Sequence, residues 1–338
     1  MLIHKIDKKL FHMKKQTLLL FAFLIMGFSM VSAQITDAEK QLRAQSKDTL
    51  DGWKTAGVLG FNFSQTSLTN WAAGGQNSFA LNGYFSASAN YKKDKNVWDN
   101  SLDVGYGILR QGKEKSFMKT DDKIDLLSKY GRKAFDNFYY AAMLNFRTQM
   151  APGYNYPNDS VMISDWLAPA YTVVAIGMDY KPNKYFSAFI APLTGKLTYV
   201  GNQDLANAGA FGVEEATYDD NGVIITKGER FNKEFGGYIR VIYSRSDFKP
   251  EFLKNLSFTT KINLFSNYIE NPQNIDINWE TLITMKVNKY ITVSLNNNMI
   301  YDDDVIIKID KNDDGIIDAE GPRLQIKNII GVGLAYKF

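Results

Sequence analysis

The stretch that decides the fold is RLQIKNIIGVGLAYKF, residues 323–338, which alternates two kinds of side chain over its whole length. Leu324, Ile326, Asn328, Ile330, Val332, Leu334, Tyr336 and Phe338 fall on even positions. Arg323, Gln325, Lys327, Ile329, Gly331, Gly333, Ala335 and Lys337 fall on odd ones. Successive side chains of a strand point to opposite faces, so one face is apolar and aromatic while the other is charged or small. Soluble domains more often finish in a polar, frayed tail. This chain stops on an aromatic ring.

The same alternation recurs upstream. Phe79, Leu81, Phe85, Ala87, Ala89 and Tyr91 alternate with polar or small neighbours, as do Trp98, Leu102, Val104, Tyr106 and Ile108. Leu256, Phe258, Thr260, Ile262 and Leu264 do so too, followed by Ile277 to Val287 and Ile291 to Tyr301 at every second residue. Short connections (91–96, 134–137, 181–184, 249–255, 287–290) trade places with long polar ones (66–76, 111–121, 151–168, 201–235, 268–276, 302–321). Short turns on one side and long loops on the other predict an all-β fold, a transmembrane up-and-down antiparallel barrel of about twelve strands. Tyr91, Trp98, Tyr180 and Tyr290 sit beside short turns, and Tyr268, Trp279 and Tyr301 beside long loops, as two interfacial girdles require. A soluble sandwich or lipocalin-like barrel also alternates, but neither needs two aromatic belts.

The segment 1–33 is basic, then apolar over 18–30, then small at Ser32 and Ala33, which reads as a cleaved secretory signal. Met13, followed by Lys14 and Lys15, is a second candidate start. The segment holds five lysines against Asp7, a net of +4, so of the +3 on the whole chain −1 remains for the mature part. That removes any electrostatic case for nucleic acid as a partner. Residues 34–52 read as a short periplasmic extension, and 53–338 as the barrel. After the signal no apolar run approaches the ~20 residues of a helical span. A membrane setting then requires a closed barrel, because only helices and closed barrels satisfy every backbone group in lipid. The expected location is the cell outer membrane, with a periplasmic N-terminus and the long loops outside. Ile330, Val332, Leu334, Tyr336 and Phe338 become the lipid face of the strand that closes onto the first one, near Trp53 to Phe63. The expected partners are outer-membrane lipid, the machinery that inserts barrels, and other envelope proteins.

FSQTSLTNWAAGGQNSFALNG (63–83) and LAPAYTVVAIGMDYKPNKYFSAFIAPLTGKLTYVGNQDLANAGAFGV (167–213) carry a more specific likeness, strongest in NWAAGG (70–75) and in the segment 191–198. The chain resembles a family of Bacteroidota outer-membrane barrels known as domain of unknown function 3078. The resemblance implies an outer-membrane address and supplies no catalytic residue. The terminal aromatic likewise resembles the end-of-chain signal read by the insertion machinery. NWAAGG itself reads either as a loop that folds inward or docks a partner, or as a tight outer turn with Trp71 at the interface; Gly pairs favour the turn.

Chemistry is scarce. There is no Cys, and the only histidines, His4 and His12, leave with the signal, so neither a thiol nucleophile nor a His-activated Ser can be assembled. Asp99 and Asp103 share a strand face but stand roughly 13 Å apart, too far for a glycosidase pair. The reading is therefore non-enzymatic, with no cofactor other than calcium in prospect. DKNDDGIIDAEG (310–321) places Asp310, Asn312, Asp314, the Ile316 carbonyl and Asp318 at the calcium-loop positions; its closing acid, Glu320, comes one residue early. Asp, Asn and Gly equally suit a solvated hairpin tip. Alternation turns Asp99, Asp103, Arg147, Asp179, Arg240, Lys261, Glu280 and Lys286 toward the lumen, with Arg323 and Lys327 beside them. Selective pores usually line themselves with one sign of charge. Mixed signs leave two readings open: a narrow channel for small solutes, or a structural or accessory subunit of an outer-membrane assembly with a plugged lumen.

Overall fold

The computed structural model describes residues 51–69, 76–112, 116–156, 158–287, 292–309 and 318–337. Twelve of its strands form one ring: β1 (Gly52–Thr66), β2 (Ser78–Lys93), β3 (Asn96–Gln111), β4 (Met118–Phe135), β5 (Phe138–Thr148), β6 (Ala170–Tyr180), β7 (Phe186–Tyr199), β8 (Phe231–Arg245), β9 (Leu256–Asn267), β10 (Asp276–Lys286), β11 (Thr292–Tyr301) and β12 (Gln325–Lys337). Each pairs antiparallel with its sequence neighbours, and β12 pairs back onto β1, which closes the barrel. The up-and-down barrel expected from the alternation is thus the fold observed. Residues 1–33, read above as a signal, nearly all of 34–52, NWAAGG, most of the 287–290 turn and Phe338 lie outside the described residues.

The seam is unequal to the other joints. β1 pairs with β2 along its whole length, whereas among the described residues it meets β12 through residues 58–61 against 334–337. Leu334 and Tyr336 are held there opposite Phe61 and Leu59.

Alternation sorts the wall into two faces. Phe61, Leu126, Leu144, Ile176, Ile190, Ile239, Ile326, Ile330 and Val332 all stand exposed on the outside, Ile330 at 75%. A continuous apolar girdle of this kind is a liability in water and the normal surface of a barrel in lipid. Aromatic groups edge it at both ends. Near the short turns Trp53 packs at 5.2 Å from Tyr91 and 5.6 Å from Trp98, and Phe138 lies 4.7 Å from Tyr180. Near the long loops Phe63 packs on Phe79, Tyr199 on Phe231 and Phe235 on Tyr268.

The segment 191–198 resolves into a β-bulge. Pro192 and Leu193 both face outward, and the register of β7 slips against β6 and β8 there. Proline lacks the N–H for a ladder bond and is tolerated in sheets at bulges. The extra residue returns Thr194, Lys196 and Thr198 to the inner face; Thr194 and Thr198 are fully buried.

The long loops carry small structures of their own. Between β5 and β6, strands Gly153–Tyr154 and Met162–Ser164 pair, and Lys119 ties this loop down through Gln149, the Ala151 carbonyl and Ser164 at 2.7–3.1 Å. The loop after β7 begins with a short helix, Gln203–Asn207, capped by the Asn202 side chain, and is pinned by Arg230 to the Val200 carbonyl and Tyr199 hydroxyl. It ends earlier than its polar sequence suggests, because Phe231, Lys233 and Phe235 already alternate as β8. Within it, Asp219 accepts from the Asn221 and Val223 amides and turns the chain, so that Thr217 pairs with Thr226 and Tyr218 with Ile224 as a hairpin. The segment 310–317 lies outside the described residues. Flanking it, strands Ile306–Ile309 and Ala319–Pro322 pair as a hairpin, with Asp318 and Glu320 exposed.

Among the described residues, one of the polar pairs on the outer face joins β11 to β12. Asn297 on β11 and Asn328 on β12 are directly opposite, and the Asn297 amide donates to Asn328 Oδ1 at 2.6 Å. In hydrocarbon neither finds water, and this bond gives the Asn328 oxygen a donor and one Asn297 N–H an acceptor. Asn328→Ala should therefore cost about 1–3 kcal/mol in urea unfolding, while replacing both by Leu should be nearly neutral. Equal losses for the single and double variants would show that the pair does not act this way.

Candidate functional site

The inner face is where chemistry collects. On β4, TDDKIDLLSKYGRK puts Lys123, Asp125, Leu127 and Lys129 on odd positions and Ile124, Leu126, Ser128 and Tyr130 on even ones. Leu126 and Tyr130 are exposed outside, whereas Lys129 and Asp125 are buried inside. Equivalent alternation aims Asp99 and Asp103 from β3, Asp179 from β6, Arg240 from β8, Lys261 from β9 and Glu280 from β10 into the same space.

The central contact spans the lumen. Lys123 Nζ lies 3.5 Å from Glu280 Oε1, and β4 and β10 are six strands apart in a ring of twelve, on diametrically opposite walls. Lys261 holds the other Glu280 oxygen at 2.8 Å, and Lys123 is 3.7 Å from Asp125, which also accepts from Asn145 at 2.7 Å. Through this strut, opposite walls are joined across the lumen.

Toward the short turns a second cluster fills the inner wall. Lys129 reaches Asp179 at 2.5 Å, Lys181 lies 2.7 Å from Asp99 and 3.4 Å from Asp179, and Ser187 donates to Asp179 at 2.8 Å. Lys181 follows β6, so its bond to β3 passes over β4 and β5. Asp179 is 1% exposed and Lys181 2%. Met143, Phe189, Ala175 and Ala191 pack beside them as an apolar core inside the barrel, with Lys129 over the Phe189 ring.

Toward the long loops Lys196, brought inward by the bulge, meets Glu234 at 3.0 Å, Asp276 at 2.6 Å and Asp302 at 3.6 Å. Lys327 bridges to Asp121 at 2.5 Å. Between this mouth and the strut lies a cavity of about 330 Å³.

The residues expected in the lumen distribute as follows. Asp99 and Asp179 lie in the short-turn cluster, and Lys261 and Glu280 in the strut. Asp103 accepts from Ser86, Arg147 lies over the Tyr171 ring at 5.5 Å, and Arg240 donates to Asn263 at 3.2 Å. Lys286 is half-buried at the short-turn end of β10, and Arg323 is exposed just before β12. Asp99 and Asp103 do not meet as a pair. Sequence reasoning missed Lys123, Asp125 and Lys129, although the β4 alternation carried them. It also missed Lys181, assigned to a turn, and Lys196, hidden by the bulge. Of the calcium-loop residues, Asp310, Asn312, Asp314 and Ile316 lie outside the described residues.

At the short-turn rim Asp247 ties two turns together, accepting from Lys184 at 2.8 Å and from the Tyr185 hydroxyl at 2.5 Å. These hydrogen bonds hold its carboxyl down at about 2.

Residues 63–154 match the family model described as Protein of unknown function (DUF3078). The likeness first read in NWAAGG is borne out over this stretch, and the 191–198 segment lies outside it. The DUF3078 match runs from the end of β1 past β5 and includes Lys123, Asp125 and Lys129. No curated protein matches the chain. Among solved structures the chain is similar to the COG4313 outer membrane channel from Pseudomonas putida F1, with 10% identity, a TM-score of 0.37, and coverage of 86% of this chain and 97% of that one. It is also similar to the Salmonella typhi outer membrane phospholipase (OMPLA) dimer with bound calcium, with 12% identity, a TM-score of 0.34, and coverage of 89% and 98%. The translocator domain of autotransporter NalP from Neisseria meningitidis matches with 11% identity, a TM-score of 0.32, and coverage of 92% and 100%. Likenesses this distant carry no argument beyond the strand pairing already described.

Two measurements probe these contacts. Removing one partner of a buried ion pair strands the other charge, so Glu280→Ala should destabilise the barrel by about 3 kcal/mol in urea unfolding, and a loss below about 1 kcal/mol would refute the strut. Asp247 has a depressed carboxyl, so its tie is present above the ordinary value of 3.8 and is lost as pH falls through about 2. A carbon-13 titration of that carboxyl should give a midpoint near 2, rising in Tyr185→Phe; an unshifted midpoint in both would contradict it.

Proposed function

We propose that this chain is a non-enzymatic integral outer-membrane β-barrel whose lumen is braced shut by cross-wall ion pairs, acting as a structural or accessory subunit of the outer membrane. In this reading the short turns and the N-terminus face the periplasm and the long loops face outside. The exposed apolar girdle with aromatic edges supports the membrane setting. The absence of Cys from the whole chain, and of His after residue 12, supports the non-enzymatic part.

The observation that carries the plugged lumen is the Lys123–Glu280 contact between opposite walls. A pore for solutes keeps its axis free and spends its charges on the passing ion. Here charges of opposite sign from facing walls are spent on one another. The mixed signs that left the sequence reading open thus acquire a role as internal struts. The second reading, a narrow channel for small solutes, draws its support from the 330 Å³ cavity above the strut.

Planar bilayers separate the two. Wild-type protein should insert without discrete conductance steps, and Lys123→Ala/Glu280→Ala should produce them. Steady unitary steps from the wild type at neutral pH would overturn the plugged reading in favour of the channel.

A further inference from the structure

Six cationic side chains line the cavity above the strut: Lys123, Arg147, Lys196, Arg240, Lys261 and Lys327. The four lysines each contact a carboxylate within 4 Å. Among the described residues the two arginines do not. Arg240 donates to the neutral Asn263 amide, and Arg147 rests over the Tyr171 ring. A guanidinium presents five N–H donors in a planar fork that matches an oxyanion, so both are left with donors to offer.

The same cavity holds acceptors lacking a donor. Asn278 Oδ1 and Asn298 Oδ1 are buried without a hydrogen-bond partner, and both residues line it. Asn278 stands directly opposite Asn263, which stands directly opposite Arg240, so an orphaned acceptor and a guanidinium without a direct carboxylate contact occupy one row across β8, β9 and β10. A buried acceptor without a donor is costly and asks for one from outside the chain. The rings of Tyr171, Tyr238 and Phe265 complete a partly apolar lining, in a volume suited to a small ligand.

We infer that this cavity is a binding site for a small hydroxylated oxyanion of the sugar-acid class. Its carboxylate meets the Arg147 and Arg240 guanidiniums, its hydroxyls donate to Asn278 and Asn298, and its ring lies against the aromatic wall. The site needs no passage through the barrel. It stands independently of the plugged-barrel reading, and equilibrium binding in detergent tests it without a bilayer.

Isothermal titration of the full detergent-solubilised protein with glucuronate, glucose and inorganic phosphate tests the inference. Glucuronate should bind saturably, and glucose and phosphate each at least about tenfold more weakly, since one lacks the charge and the other the ring. Arg147→Gln and Arg240→Gln should each weaken glucuronate about tenfold, while Lys184→Gln on the short-turn rim should not. Heat-modifiable gel migration verifies that each variant is folded. The three-ligand comparison on the wild type decides the matter even where a variant does not fold. Absence of glucuronate binding, or equal affinity for glucose, would overturn the site. Phosphate binding as tightly as glucuronate would overturn the sugar-acid assignment.

Discussion

Every backbone N–H and C=O inside a lipid-facing wall must be paired within the wall itself, and that constraint governs everything else in this molecule. It forces the strands into a ring without edges, so β12 must return to β1. In a ring of alternating strands each second side chain points to the axis, whatever its chemistry. Charges far apart in sequence, such as Lys123 and Glu280, then meet because their strands stand on opposite walls. The ion pairs follow from the closure and do not cause it.

Energetically these interior contacts work in a low-dielectric space. Burying one charge alone is expensive, and a paired charge recovers the loss only when geometry and further hydrogen bonds are good. The Asp179 carboxylate meets that standard with Lys129, Lys181 and Ser187 around it. Such clusters are weak evidence of stability gained over an apolar filling, but they specify which wall faces which. A ring of near-equivalent strands needs such specification, since its outer face consists of interchangeable apolar residues.

Strand number, topology and facing were legible in the sequence because period-two alternation is a local signal that closure does not alter. β12 and β9 read cleanly for that reason. Lys196 was illegible because the Pro192–Leu193 bulge inserts a residue and inverts the period beyond it. Lys181 was illegible because a residue after a strand end has no facing until tertiary structure assigns one. The pairing partners were beyond reach altogether: which inward charge meets which depends on ring order and stagger, and neither is a property of any single strand. The cavity with its two arginines that touch no carboxylate directly has the same origin, since Arg147 and Arg240 look like ordinary inward charges until their neighbours are known.

The unequal seam has a kinetic meaning. Residues 58–61 and 334–337 belong to the first and last strands of the ring, so their ladder closes the longest loop in the fold while being, among the described residues, the shortest joint in it. Loop-closure entropy and contact order both place such a joint last in assembly. Its few bonds make it the first to part when the wall fluctuates. Until it forms, β1 and β12 present two unpaired edges, each a template for another strand. The vulnerable moment in the life of this barrel is therefore its final zippering, when the hairpins on either side are already paired and only the first and last strands still lack a second neighbour.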